Sequence, residues 1–116
     1  MATLDVDVSD AKNAAGDPVV VVTIKGEAVV ELEPLVSMLQ SVSAKRPQRS
    51  VLNLKDLSFI SSLAMGVMLA FRRGILANGG KLKVAAMQKL VLDSFKRARL
   101  DKVFEIVETL EAAVGA

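Results

Sequence analysis

Apolar and polar residues alternate from Thr3 to Val8, with Leu4, Val6 and Val8 set against Asp5 and Asp7. That two-residue period predicts a half-buried strand. The stretch Asn13-Ala14-Ala15-Gly16-Asp17-Pro18 has the composition of a turn. Val19 to Ile24 is an unbroken β-branched run, the pattern of a strand covered on both faces. The two strands and their turn predict a hairpin, and Gly26 is expected to break the second strand. Leu35, Met38, Leu39 and Val42 then recur at helical spacing, and Glu33-Pro34 suits a helix first turn, where proline loses no hydrogen bond and an acid meets the positive end of the dipole. A helix is therefore expected from about Val30 or Glu31 to Ala44.

Ser50 to Leu54 reads as a short strand and Lys55 to Ile60 as a loop. From Ser61 a second helix carries the stripe Ala64, Val67, Met68, Phe71 and Ile75. Asn78-Gly79-Gly80 ends it by supplying positive φ past the last turn. Lys81 to Ala86 predicts a strand, Gln88 to Ala98 a helix with Val91 and Phe95 inward, Val103 to Val107 a last strand, and Thr109 to Val114 a short terminal helix.

The order is β-β-α-β-α-β-α-β-α. Strands joined through helices run parallel, because such a connection needs a crossover of this length. The expected fold is α/β, with a mixed sheet of about five strands, an N-terminal hairpin and helices packed mainly on one face. Val20, Val22, Leu39, Leu52, Leu54, Val67, Phe71, Val84 and Phe95 are the expected inner residues. At 116 residues the chain fits one domain, residues 1–116.

Composition narrows the chemistry. The apolar share is 52% and comes from aliphatic residues, with four Phe and no Trp or Tyr. The absence of Cys and His removes disulfides, thiolate chemistry, imidazole bases and the commonest zinc ligands at once. No Ser sits in a G-x-S-x-G elbow, and acids such as Glu31 and Glu33 fall at a helix start, where solvated carboxylates are ordinary. No enzyme activity, cofactor or metal is expected. The net charge of +2 divides 15 basic from 13 acidic residues and marks no basic face. Lys96, Arg97, Arg99 and Lys102 alternate with Asp93, Asp101 and Glu105 and lack aromatic stacking partners, so no nucleic-acid partner is expected. The opening MATLDVDV is acidic and has no apolar segment, unlike a secretory signal. The longest apolar run, Leu63 to Phe71, is nine residues, against about 18 for a membrane span. The expectation is a cytoplasmic protein without direct membrane insertion.

Two serines stand where the second helix begins. Either suits the N-cap, whose hydroxyl accepts from a free N–H of the first turn. Three residues on from them stand Ala64 and Met65 rather than Glu or Gln, so no capping box forms. A phosphate there would meet free N–H groups and the positive end of the dipole. Leu63, Ala64, Met65, Val67 and Met68 surround this helix start and cannot all face the sheet. Leu63 or Met65 is expected at the surface beside Ser62, as part of a protein-binding patch.

The stretch Val51-Leu52-Asn53-Leu54-Lys55-Asp56-Leu57-Ser58-Phe59-Ile60-Ser61-Ser62 resembles the centre of the STAS family, anti-sigma factor antagonist branch. There a strand ending in L-D-L or L-N-L leads through a short loop to F-[MI]-D-S-[ST]-G-L-G-V. Here the matching run is Phe59-Ile60-Ser61-Ser62-Leu63-Ala64-Met65-Gly66-Val67. Ala77 to Val84, Leu100 to Ile106 with Thr109 to Ala113, and Lys25-Gly26-Glu27 resemble further family segments in the same order.

The resemblance implies a regulatory protein that binds an anti-sigma factor with serine-kinase activity and is switched by phosphorylation. It places the phosphoacceptor at Ser62, with Ser61 the neighbouring alternative, and a partner contact near Val29; together with the apolar patch, the expected partner contact is Ser61, Ser62, Leu63, Met65 and Val29. Four positions depart from the pattern: Ser61 stands for the usual Asp, Leu63 for Ser or Thr, Ala64 for Gly, and Val29 for an acid near the partner contact. The alternatives are a STAS scaffold or transporter-accessory subunit without a phosphoswitch, and, on fold analogy alone, a small-ligand or nucleotide-binding module.

Overall fold

The computed structural model describes residues 4–115. Strand β1 (Leu4–Lys12) pairs antiparallel with β2 (Pro18–Ala28), from Leu4 opposite Gly26 to Lys12 opposite Pro18. Thr3 lies outside the described residues. The connecting turn is tied by Asn13, whose Oδ1 accepts from the backbone N–H groups of Asp17 (2.8 Å) and Ala15 (3.1 Å). Gly16 sits at φ +86° there, a conformation glycine adopts without a Cβ clash.

The remaining elements are α1 (Glu33–Ala44), β3 (Arg49–Asn53), β4 (Leu57–Ile60), α2 (Ser62–Ala77), β5 (Lys81–Ala85), α3 (Lys89–Arg97), a single 3₁₀ turn (Leu100–Lys102), β6 (Glu105–Val107) and α4 (Leu110–Gly115). The strand order is β1-β2-β3-β5-β6, with β4 also paired to β2. All pairings but the hairpin are parallel. The sheet is the mixed one expected, with six strands rather than about five.

The extra strand is β4, in a segment expected to be a loop. It lacks alternation, because Leu57 and Ile60 are buried while Ser58 and Phe59 between them are exposed. It also depends on a distant event. Gly26 does not end β2, as expected, but bends it: at φ +98° it marks a register shift between Gly26 and Glu27, past which β2 continues alongside β4. A glycine at such a bulge accepts the backbone geometry that other residues resist. Its N–H donates to the Asp56 carbonyl (3.0 Å).

The parity of the strands separates two packing faces. Val22, Ile24, Leu52, Leu82 and Val84 face Leu35, Leu39 and Val42 of α1, Ala64, Met68, Phe71 and Ile75 of α2, and Val91 and Phe95 of α3. Val19, Val21, Val51 and Ala85 form a smaller cluster on the other face with Ala113 of α4. The helices thus cover mainly one face. Of the expected inner residues, Val20 and Val67 are half-buried against the main core and the other seven are buried. Phe95 meets Phe104 at 5.5 Å between ring centroids, tilted by 60°, a favoured aromatic geometry.

Helix ends fall within a few residues of expectation. Leu32 precedes α1, so Val30 and Glu31 lie outside it. The C-terminus of α2 closes as the glycine pair predicts: Gly79, at φ +79°, donates to Leu76 O (3.0 Å) and Gly80 to Ile75 O (2.9 Å), satisfying two of the last carbonyls. Val103 ends the 3₁₀ turn rather than starting a strand, because its N–H turns back to Leu100 O (3.0 Å).

Candidate functional site

The sheet brings β4 to the start of α2, and the last residues of β2 lie beside β4. Three segments distant in sequence therefore meet around Ser61 and Ser62. Ser61 is the N-cap of α2, with extended backbone (φ −87°, ψ 166°). Its Oγ accepts from the Ala64 N–H (3.1 Å) and donates to the Val29 carbonyl (2.6 Å), while its own N–H donates to Ala28 O (2.8 Å). The hydroxyl thereby satisfies one orphan donor of the helix and ties the helix start to the end of β2, 32 residues earlier.

Ser62 is the first residue of α2. Its side chain is exposed and its hydroxyl makes no hydrogen bond among the described residues. Of the two serines left open as caps, the fold uses Ser61 and leaves Ser62 free. Capping explains this, because a cap hydroxyl must reach the N–H two or three residues on from an extended backbone, and Ser62 is already helical.

Leu63 is 59% exposed, whereas Met65, expected as a partner contact, is only 7% exposed. Two residues apart on α2, they point about 200° from each other around the helix axis, and Met65 packs into the main core. It also lines an open hollow of about 360 Å³, together with Phe59, Ile60, Ser61, Ser62, Ser94, Arg97 and Ala98. Val29 is half-buried and touches the site through its carbonyl. The structure thus gathers Ser61, Ser62, Leu63 and Val29 at one end of the sheet and takes Met65 largely out of the surface.

Two exposed apolar residues join this end without having been singled out in the sequence. Val30 is 71% exposed and Phe59 is 40% exposed. Val30 lies beside Val29 in a wide, shallow hollow edged by the carboxylates of Asp5, Glu27, Glu31 and Glu33. Phe59 was legible only as a motif letter, since its outward direction depends on β4 being a strand. Among the described residues no group of three or more Asp and Glu is placed to hold a metal ion, and no helix is long and apolar enough to cross a membrane.

Residues 12–113 match the STAS domain family. The chain belongs to the STAS domain family. Solved structures give the same fold. An anti-sigma factor antagonist from Mycobacterium paratuberculosis superposes with a TM-score of 0.83 at 24% identity, covering 96% of this STAS chain and 91% of that one. The Bacillus cell fate determinant SpoIIAA in its phosphorylated form gives 0.68 at 17% identity over 93% and 96% of the two chains. A sulfate transporter family protein from Wolinella succinogenes gives 0.72 at 14% identity over 83% and 81%. At these identities the likeness is one of fold, and it spans proteins described in quite different roles.

Proposed function

We propose that this STAS protein is an anti-sigma factor antagonist. It docks a partner anti-sigma factor with serine-kinase activity through the start of α2, and the partner phosphorylates Ser62. One observation carries the reading: the exposed Ser62 hydroxyl is free of competing bonds, while the serine beside it holds the fold together.

The surroundings support a docking surface. Leu63, Phe59 and Val30 expose apolar area around this end of the sheet, and apolar patches rimmed by polar groups favour protein contacts. Transfer forms the bond from Ser62 Oγ to the γ-phosphorus of ATP as the bond to the bridging oxygen breaks. ADP leaves, and the hydroxyl proton passes to a base on the partner. The product places about two negative charges on that surface at neutral pH. The helix tolerates them, because its first turn is the positive end of the dipole. A partner contact that excludes water does not, because desolvating a phosphate dianion is costly and a single nearby cation repays only part of that cost. The role needs no nucleophile–base pair, cofactor or nucleic-acid partner in this chain, and it belongs in the cytoplasm, where anti-sigma factors act.

A second reading is favoured by one residue. Ser61 replaces the acid usual before the phosphoacceptor; it can cap the helix as an acid would, but it brings no negative charge to the acceptor hydroxyl. A STAS scaffold or transporter-accessory subunit without a phosphoswitch would need no such charge.

Incubation with the cognate anti-sigma factor and ATP, followed by mass mapping, separates the readings. One phosphate on Ser62 is expected. Phosphate on Ser61 alone would move the site by one residue, and phosphate on neither would leave the scaffold reading in place of the switch.

A further inference from the structure

The hollow beside Ser62 is lined by the end of β4, the start of α2 and the end of α3. Of its eight lining residues only one is charged, and it is a cation, Arg97. Arg97 Nη2 donates to the Ser94 hydroxyl (3.3 Å). Ser94 is itself 9% exposed, and its Oγ donates to Leu90 O (3.2 Å). The guanidinium is thus steered along its own helix toward the hollow. Its partner is a neutral hydroxyl, and no carboxylate pairs with it among the described residues.

We infer that Arg97 is the intramolecular counter-charge for the phosphate on Ser62. Once the phosphoryl group is in place, the guanidinium and the phosphate occupy the same hollow. Arginine offers a planar fork of N–H donors that matches phosphate oxygens. The other charges nearby do not take this place. On α3, Lys89 pairs with Asp93 (3.4 Å), and Lys96, like Arg99 just past the helix, lies outside the lining of the hollow. Glu27, Glu31 and Glu33 lie in the separate hollow beyond Val29 and repel a phosphate, which sharpens the need for a cation on the α3 side. The consequence is regulatory. The ion pair holds the phosphate against its own molecule and shields it from a phosphatase, so the phosphorylated form persists longer than a freely solvated phosphoserine would.

The inference rests on the reading that Ser62 carries the phosphate in the cell, but its test needs no kinase. Phosphoserine is incorporated at position 62 during translation, and its second pKa is read by phosphorus NMR titration. A paired dianion titrates lower than phosphoserine in an unfolded peptide of the same sequence, here by on the order of half a unit, since the pair is solvent-accessible. Arg97→Gln should abolish that shift, Arg97→Lys should restore part of it, and Lys96→Gln, with the same loss of charge outside the hollow, should leave it in place. High salt should shrink the wild-type shift. Equal pKa values in the wild type and Arg97→Gln, or equal effects of Arg97→Gln and Lys96→Gln, would overturn the inference. A kinase that fails to modify Ser62 would instead count against the proposed function and leave this result standing.

Discussion

Ser61 and Ser62 are one position apart, yet the fold uses only one of the two hydroxyls. Ser61 Oγ makes two hydrogen bonds, one of them to a carbonyl on another segment. Ser61→Ala removes the cap and leaves the Ala64 N–H and Val29 O short of a partner. It should lower unfolding stability by about 1–2 kcal/mol, measured as a shift in the urea midpoint. Ser62→Ala removes no bond and should stay within about 0.5 kcal/mol of wild type. A larger loss from Ser62→Ala than from Ser61→Ala would mean that the caps are exchanged. The identity of the cap was not legible in the sequence. Two adjacent serines both satisfy the residue preference, and the choice is made by Val29 O, whose position depends on the course of β2 past Gly26.

At the scale of elements, two glycines on or next to α2 separate propensity from packing. Gly66 lies on the exposed side of the helix with nothing within 4 Å of a built Cβ. Gly66→Ala should stabilise by about 0.5–1 kcal/mol, because alanine is the better helix former and gives up less backbone freedom on folding. Gly80 is different. A Cβ there would stand 2.5 Å from the Pro47 carbonyl oxygen, which is backbone and has little room to give. Gly80→Ala should destabilise by about 1–3 kcal/mol. Thermal unfolding of the two variants checks both signs, and a stabilised Gly80→Ala would contradict the close approach of α2 and the β3 entry.

Helices were the most legible elements, because their stripes of Leu, Val and Phe repeat over several turns within one segment. The strands of the alternating part were legible as β-branched runs. What escaped was β4, which is four residues long with a buried-exposed-exposed-buried order. No local pattern marks such a strand; it exists because the far end of β2 offers an unpaired edge. The same gap hid Phe59 as a surface residue and made Met65 look as available as Leu63, since the burial of Met65 is set by the packing of the helix against the sheet.

For the whole molecule, the six-stranded sheet places its candidate chemistry at one end, where β4, the end of β2 and the start of α2 converge. The chain contains no His or Cys, and among the described residues no acidic group is arranged for a metal. If the proposed role is binding alone, the purified protein should not hydrolyse ATP, GTP or simple esters. Turnover that survives purification and disappears with a point variant of this chain would contradict a role confined to binding.

The apolar part of the surface is tested by Leu63. It is 59% exposed, so Leu63→Ser should change stability little and still weaken docking, because exposed apolar anchors contribute most once a partner covers them. The most direct test of the account is calorimetric titration of the cognate anti-sigma factor with wild-type protein and with Ser62→Asp. The aspartate should leave the thermal midpoint unchanged or slightly raised, as an acid is favourable in the first turn. The account expects tight binding by the wild type and a loss of at least roughly tenfold, about 1.4 kcal/mol, for Ser62→Asp. Equal affinities for the two proteins, with both folded, would contradict it.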